Sequence, residues 1–218
     1  MLERLLVTVA LILPAAVFGQ TAASVPRPEV KVGDSWTYNR INRYTNQVTG
    51  TFVNVVRKIE GGEITMESRS EDGQGGTLVW VFASDWNLRK RGKAVFDPGI
   101  PQYAFPLEIG KKWEGSYTGP SLLDEAGSVD STRKSKVVGM EVVKVPAGSF
   151  NAVKIESETT WLYKGAWRGG RSTGVVSETR CYAPEAKRFV KMEVDVFRPA
   201  DANVPDRVIW ELKELKLN

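Results

Sequence analysis

The sequence predicts an all-β domain with little helix, on three observations. Apolar and polar residues alternate with a period of two along several segments, short polar turns rich in Gly, Pro, Asn and Asp separate those segments, and helical periodicity is nearly absent. Many strands in chain order, joined by short turns, form an antiparallel meander.

The 218-residue chain opens with MLERLLVTVALILPAAVFGQTAAS, in which a short charged start (Glu3, Arg4) precedes an apolar run from Leu5 to Leu13 and then small residues. That order marks residues 1–23 as a secretory signal peptide, with cleavage expected after Gly19 or Ala23. The apolar run is shorter than the roughly 20 residues a membrane helix needs, and no later segment approaches it, so no transmembrane span is expected after cleavage. Residues 24–218 suit a single domain, which typically takes about 100–200 residues. Cys181 is the only cysteine. Neither an internal disulfide nor a lipid-bearing cysteine after the apolar run is therefore expected.

Strand signals follow at 36–43, 51–59, 64–70, 78–82, 112–118, 133–145, 152–161, 173–182, 190–196 and 208–213. Between them stand the turn signals RYTN, EGGE, EDGQGG, PAGS, YKGAWRGG and YAPEAK. In 190–196, Val190, Met192, Val194 and Val196 alternate with Lys191, Glu193 and Asp195. At the C-terminal end Val208, Trp210 and Leu212 share a phase that Leu215 and Leu217 leave at Glu214, which predicts a bulge. Only SLLDEAG, with Ser121 three residues before Asp124, could open a short helical turn.

The stretch EVVKVPAGSFNAVKIESE, residues 141–158, is a strand, a turn at Pro146 to Ser149 and a second strand. Ser149 is the one plausible nucleophile of this loop, and the chain has no histidine to activate it. VKVGDSW (30–36) and LEIGKKW (107–113) share the order apolar, charged, apolar, glycine, two residues, tryptophan. In each, glycine permits a tight turn and tryptophan begins a strand, and the repetition raises a duplicated half-domain.

Four blocks, KVGDSWTYNRINRYTNQVTGTF, FPLEIGKKW, VKVPAGSFNAVKI and ETRCYAPEAKRFVKMEV, cover most of the mature chain. In that order they resemble the exported bacterial domains of unknown function 3108 and their relatives. The resemblance implies a single curved antiparallel sheet, a half-barrel or open barrel similar to the lipoprotein carrier LolA. Members of that family often carry tryptophan before the tyrosine of the YAPE block, where this chain has Cys181, which implies a packing position there. The family supplies no activity and no functional residue.

Composition removes several chemistries. With no histidine, the usual neutral-pH base and the commonest metal ligand are both missing, so zinc sites and triad hydrolysis are not expected, and neither is a cofactor. A net charge of +4 falls short of a nucleic-acid signature. Glu156 and Glu158 share one strand face, as do Glu193 and Asp195, but Lys154 and Lys191 lie on the same faces, as on the wet side of a sheet. GAWRGGRSTG lacks the spacing of a phosphate loop.

Aromatic and basic side chains supply the remaining candidates. Trp36, Trp80, Trp113, Trp161 and Trp210 fall within strand patterns and suit a core or concave face, whereas Trp86 and Trp167 lie in loop signals and suit exposure. Of these, Trp80, Trp86, Trp161, Trp167 and Trp210 are the candidate ligand-binding residues. Arg89, Arg91, Arg168 and Arg171 are candidates for an anion-contacting rim, which the basic runs LRKRGK and RKSK would extend if they met.

The expectation is thus a non-catalytic periplasmic or secreted module. Its first reading is a carrier for a lipid, acyl chain or other hydrophobic ligand, because a half-open sheet must cover its apolar face. The second is an envelope assembly protein that docks a partner through its sheet, and the third a carboxylate-dependent glycan hydrolase.

Overall fold

The computed structural model describes residues 24–121, 127–165, 171–197 and 206–218. The signal segment 1–23 and the proposed helical turn after Ser121 lie outside these residues. Twelve strands run in chain order among the described residues: β1 (Ser35–Asn42), β2 (Gln47–Glu60), β3 (Glu63–Ser70), β4 (Thr77–Ala83), β5 (Leu88–Arg91), β6 (Ala94–Ile100), β7 (Lys112–Pro120), β8 (Ser128–Val145), β9 (Gly148–Lys164), β10 (Arg171–Ala183), β11 (Arg188–Phe197) and β12 (Asp206–Lys216). Each pairs with its chain neighbour in antiparallel fashion, and β12 returns to β1, so one curved sheet closes into a barrel. The all-β class and the single curved antiparallel sheet are what the chain adopts, with the two ends of the sheet joined. No helix of the described residues is long and apolar enough to cross a membrane.

Alternation does most of the shaping. Along β8, Ser131, Arg133, Ser135 and Val137 are buried while Lys134 and Lys136 are exposed, and on β9 Ile155, Ser157 and Thr159 are buried against exposed Glu156 and Glu158. A side-chain period of two puts each set on one face of the wall. The expected bulge is present: Thr37 stands opposite Glu214 but Tyr38 opposite Leu212, so Lys213 is the extra residue. Strands β5 and β6 were not anticipated, because the basic run LRKR and the proline in AVFDPGI hide a strand pattern.

The two related heptads build the same device. Gly33 and Gly110 both take a positive φ, 92° and 87°. Gly33 N–H donates to Val56 O while Val56 N–H donates to Asp34 O, and Gly110 N–H donates to Val137 O while Val137 N–H donates to Lys111 O. Each turn therefore delivers its tryptophan, Trp36 or Trp113, to the start of a strand pairing with the next one. The barrel accordingly divides into β1–β6 and β7–β12, each opened by this turn. The two joints between them differ: β12 meets β1 at eight register pairs, whereas β6 meets β7 at one, Asp97 with Thr118.

One end of the barrel is closed by a packed floor of Trp36, Tyr38, Ile64, Met66, Phe82, Trp86 and Leu212. The YAPEAK segment plugs it. Its 3-10 turn, Pro184–Ala186, ends at Lys187 in a left-handed conformation, and the indole N–H groups of Trp36 and Trp86 donate to Ala186 O at 2.7 Å and Lys187 O at 2.9 Å. Lys187 Nζ reaches the buried Asp34 carboxylate at 2.9 Å, and Tyr38 Oη donates to Phe189 O at 2.6 Å. Donors that burial would otherwise leave unpaired are thereby satisfied.

Candidate functional site: the barrel interior

Register fixes which side chains meet inside. Ser135 of β8 lies opposite Ser157 of β9, which lies opposite Glu178 of β10, and their buried faces make one layer. The Ser135 and Ser157 hydroxyls bond each other at 2.9 Å. Glu178 Oε1 accepts from Arg133 Nη2 at 2.7 Å and lies 2.9 Å from Arg180 Nη2. Arg133 also donates to Thr159 Oγ1 at 3.3 Å, and Arg180 Nη1 donates to Gln102 Oε1 at 2.9 Å.

Burial penalises the Glu178 charge, but Arg133 and Arg180 outweigh that penalty and hold the carboxyl below its usual range. For Arg180, burial likewise opposes the charge, and Glu178 then Tyr103 reverse the balance and raise it. Arg188 differs. No carboxylate pairs with it among the described residues; its guanidinium touches the Met66 sulfur and stands 4.8 Å from the Trp86 ring centre, 5.4 Å from Trp36 and Phe82, 5.5 Å from Phe189 and 5.9 Å from Tyr38. Burial depresses its pKa, and the nearby Arg180 charge adds to the depression.

Above this layer the inner face of β9 to β12 turns apolar, while β1 to β3 add Arg40 opposite Trp210 and the polar Asn54, Ser68 and Ser70. Val176, Val194, Val196, Val208, Trp161 and Trp210 share the inward register and are only half-buried. Trp161 lies across Gly174, where an added Cβ would sit 2.3 Å from the indole, and Phe52 packs against Trp210 at 5.4 Å. The arrangement is a barrel with a packed floor, a cationic middle and an upper wall that is apolar along β9 to β12.

Solved structures share this architecture. A candidate lipoprotein from Parabacteroides distasonis superposes with a TM-score of 0.54 at 13% identity, over 89% of this chain and all of that one. A candidate exported protein with a YmcC-like fold from Bacteroides fragilis superposes with a TM-score of 0.55 at 16% identity, again over 89% of this chain and all of the other. The hypothetical lipoprotein YmcC from Escherichia coli gives a TM-score of 0.47 at 13% identity over 84% of each chain. The first two show that this chain shares their fold. No family model and no curated protein matches the chain, so the resemblance to domain 3108 gains no support there.

The sequence candidates are dispersed within this frame. Trp80, Trp161 and Trp210 face inward and are half-buried. Trp86, expected to be exposed, is buried at 1%: its backbone turns at φ 65° after Ala83, which swings the indole into the floor against Phe82 and Trp36. Trp167 and Arg168 lie outside the described residues, and Arg171 begins β10 opposite Lys164. Arg91 stacks over Trp80 at 4.9 Å, and Arg89 lies along Gly99. The basic runs do not form one rim, because RKSK divides across the wall, with Arg133 inside and Lys134 and Lys136 outside.

The four carboxylates considered for glycan hydrolysis share the outer face. They border an open groove of about 830 Å³ with Arg43, Lys112, Lys134 and Lys136. Glu156 stands opposite Lys136 and Glu158 opposite Lys134, while Arg43 bridges Glu193 at 3.4 Å and Asp195 at 3.1 Å. Thr179 and Ser177 of β10 separate the two acidic pairs. Alternating charges across a wet wall account for all four. Sequence reasoning put Arg133 in an outer basic rim and missed Arg180, Arg188 and Glu178, although Arg133 falls in phase with Ser135 and Val137, and Arg180 with Glu178 and Tyr182.

Proposed function

We propose that this chain is an exported, non-catalytic binding or carrier module of the cell envelope, whose barrel takes up an apolar or amphipathic molecule such as a lipid or acyl chain. The observation that carries this reading is the upper inner wall, where Trp161, Trp210 and four valines are turned inward yet left half-buried. An apolar inner surface gains roughly 25 cal/mol for each Å² that a ligand removes from water. The fold it shares with exported proteins supports the same compartment, with cleavage after Gly19 or Ala23 leaving one domain. Trp80, Trp161 and Trp210 would line the bound chain, and Arg91 would stand at its rim.

The test is the native mass of the mature protein purified from the periplasm under gentle ionisation. A species heavier than the cleaved chain, releasing a lipid on denaturation, is expected. A bare chain that also fails to take up added fatty acid would overturn the reading. A second reading, an envelope assembly protein docking a partner, draws on the single-pair joint between β6 and β7, where an extended segment of another protein could pair. Crosslinks concentrated on β6 and β7 would favour it.

A further inference from the structure

The interior holds more positive charge than it pairs. Arg133, Arg180 and Arg188 are 4%, 4% and 8% exposed, and the Glu178 carboxylate is the one acid that meets them among the described residues. Three guanidiniums less one carboxylate leave two positive charges inside the barrel. Arginine does not shed its proton to escape such a site, and an unpaired buried charge costs several kcal/mol. Of the six buried side-chain donors without an acceptor among the described residues, Trp80 Nε1 and Arg207 Nε lie elsewhere in the wall, and the other four are Arg133 Nε, Arg180 Nε and the hydroxyls of Tyr103 and Tyr182. Arg180 lies 5.1 Å from the Tyr103 ring centre, and Arg180 and Arg188 stand 5.7 and 5.5 Å from the same Phe189 ring. Tyr103 and Tyr182 pack edge to face at 5.5 Å. Donors, tyrosine hydroxyls and surplus charge converge on one place, and what they lack is an anionic acceptor.

We infer that the barrel interior is an anion site, in which an oxyanion of carboxylate or phosphate type accepts from Arg180 Nε and the Tyr103 hydroxyl while Arg188, across Phe189, offsets its charge. This deepens the carrier reading and rests on it for the ligand's apolar part: the half-buried wall above would take the chain and the cationic layer its head. Arg188, boxed by aromatic rings, contributes field rather than contact.

The delipidated mature protein, titrated with dodecanoate, with 1-dodecanol and with inorganic phosphate while tryptophan fluorescence is followed, tests both ideas separately. Dodecanoate is expected to bind at least about tenfold more tightly than dodecanol, the scale of one charged hydrogen bond. Tyr103→Phe removes a hydroxyl that borders Arg180 and has no acceptor for its own proton, so it keeps the ring packing, and it should erode that preference without weakening dodecanol. Arg180→Lys should erode it further. Equal affinity for acid and alcohol would overturn the anion site while the carrier reading survives. Saturable phosphate binding with no uptake of either chain would uphold the anion site and overturn the carrier. A preference for dodecanoate indifferent to both variants would place the anion elsewhere and sink the inference, and no binding by any of the three would sink both.

Discussion

Arg180 and Arg188 bury the same functional group within one barrel by opposite means. Arg180 is held by a carboxylate, an amide oxygen and the thioether of Met192, whereas Arg188 is surrounded by five aromatic rings and touches one sulfur. The charge of Arg180 is strengthened by its surroundings and that of Arg188 is weakened. The difference teaches that the middle layer depends on one acid, while the floor depends on shape and on the faces of its rings. Removing the partner should hurt the first far more than removing the cation hurts the second.

The largest effect is expected from Glu178→Ala. It leaves Arg133 and Arg180 facing each other without their shared acceptor, and breaking a buried pair from one side costs about 3–5 kcal/mol. Urea unfolding of the variant should show a midpoint lowered accordingly; an unchanged midpoint would mean that water already reaches the layer. Next comes acid. The Glu178 pKa lies below its unfolded value, so its contribution is complete above the ordinary glutamate range, roughly 4.3, and is lost as pH falls through the folded pKa. The melting temperature of the native protein should drop below that range more steeply than that of Glu178→Gln. Parallel curves would remove Glu178 as a source of the acid sensitivity.

Arg188→Met should cost less. Replacing a buried cation by an apolar side chain of similar volume is often neutral, or stabilising by about 1–4 kcal/mol. A methionine among Trp36, Phe82 and Trp86 keeps sulfur and ring contacts while removing the repulsion from Arg180. Unfolding of the ligand-free variant at or above the native midpoint is the expected result, and a loss as large as that of Glu178→Ala would erase the contrast between the two sites.

Much of the wall was legible in the sequence because alternation writes a strand directly: Met192 to Val196 and Ile155 to Thr159 lie as their period requires, the slip at Glu214 became a bulge, and only at Val190 does a second register shift hand the inward position to Phe189. Chain order sufficed for pairing, since neighbours pair throughout. The middle layer was not legible for a specific reason. Hydropathy assigns a charged residue to solvent, so Arg133 in RKSK read as part of a basic rim, although its phase with Val137 placed it inside. Its partner Glu178 is 45 residues away and belongs to another hairpin. Trp86 escaped for a different reason: a turn residue is expected outside, and only its positive φ turns the ring inward.

Cys181 offers the smallest and most selective test, because it follows Arg180 on the opposite face of β10. Its thiol donates to Glu141 Oε1 at 3.3 Å, and burial, then that bond and the Glu141 charge, push its pKa up to about 12. Native protein at pH 8 should therefore alkylate with iodoacetamide far more slowly than the unfolded chain. Glu141→Gln removes the charge but keeps burial and an oxygen that can accept from the thiol, so the thiol should gain less than about tenfold in rate, the equivalent of one pKa unit. Stability should stay within about 0.5 kcal/mol, since Glu141 is exposed. If Glu141→Gln instead lowered stability as Glu178→Ala does, the outer wall would share charge with the inner layer, and the division between a carboxylate-held interior and a solvated exterior would fail at this strand.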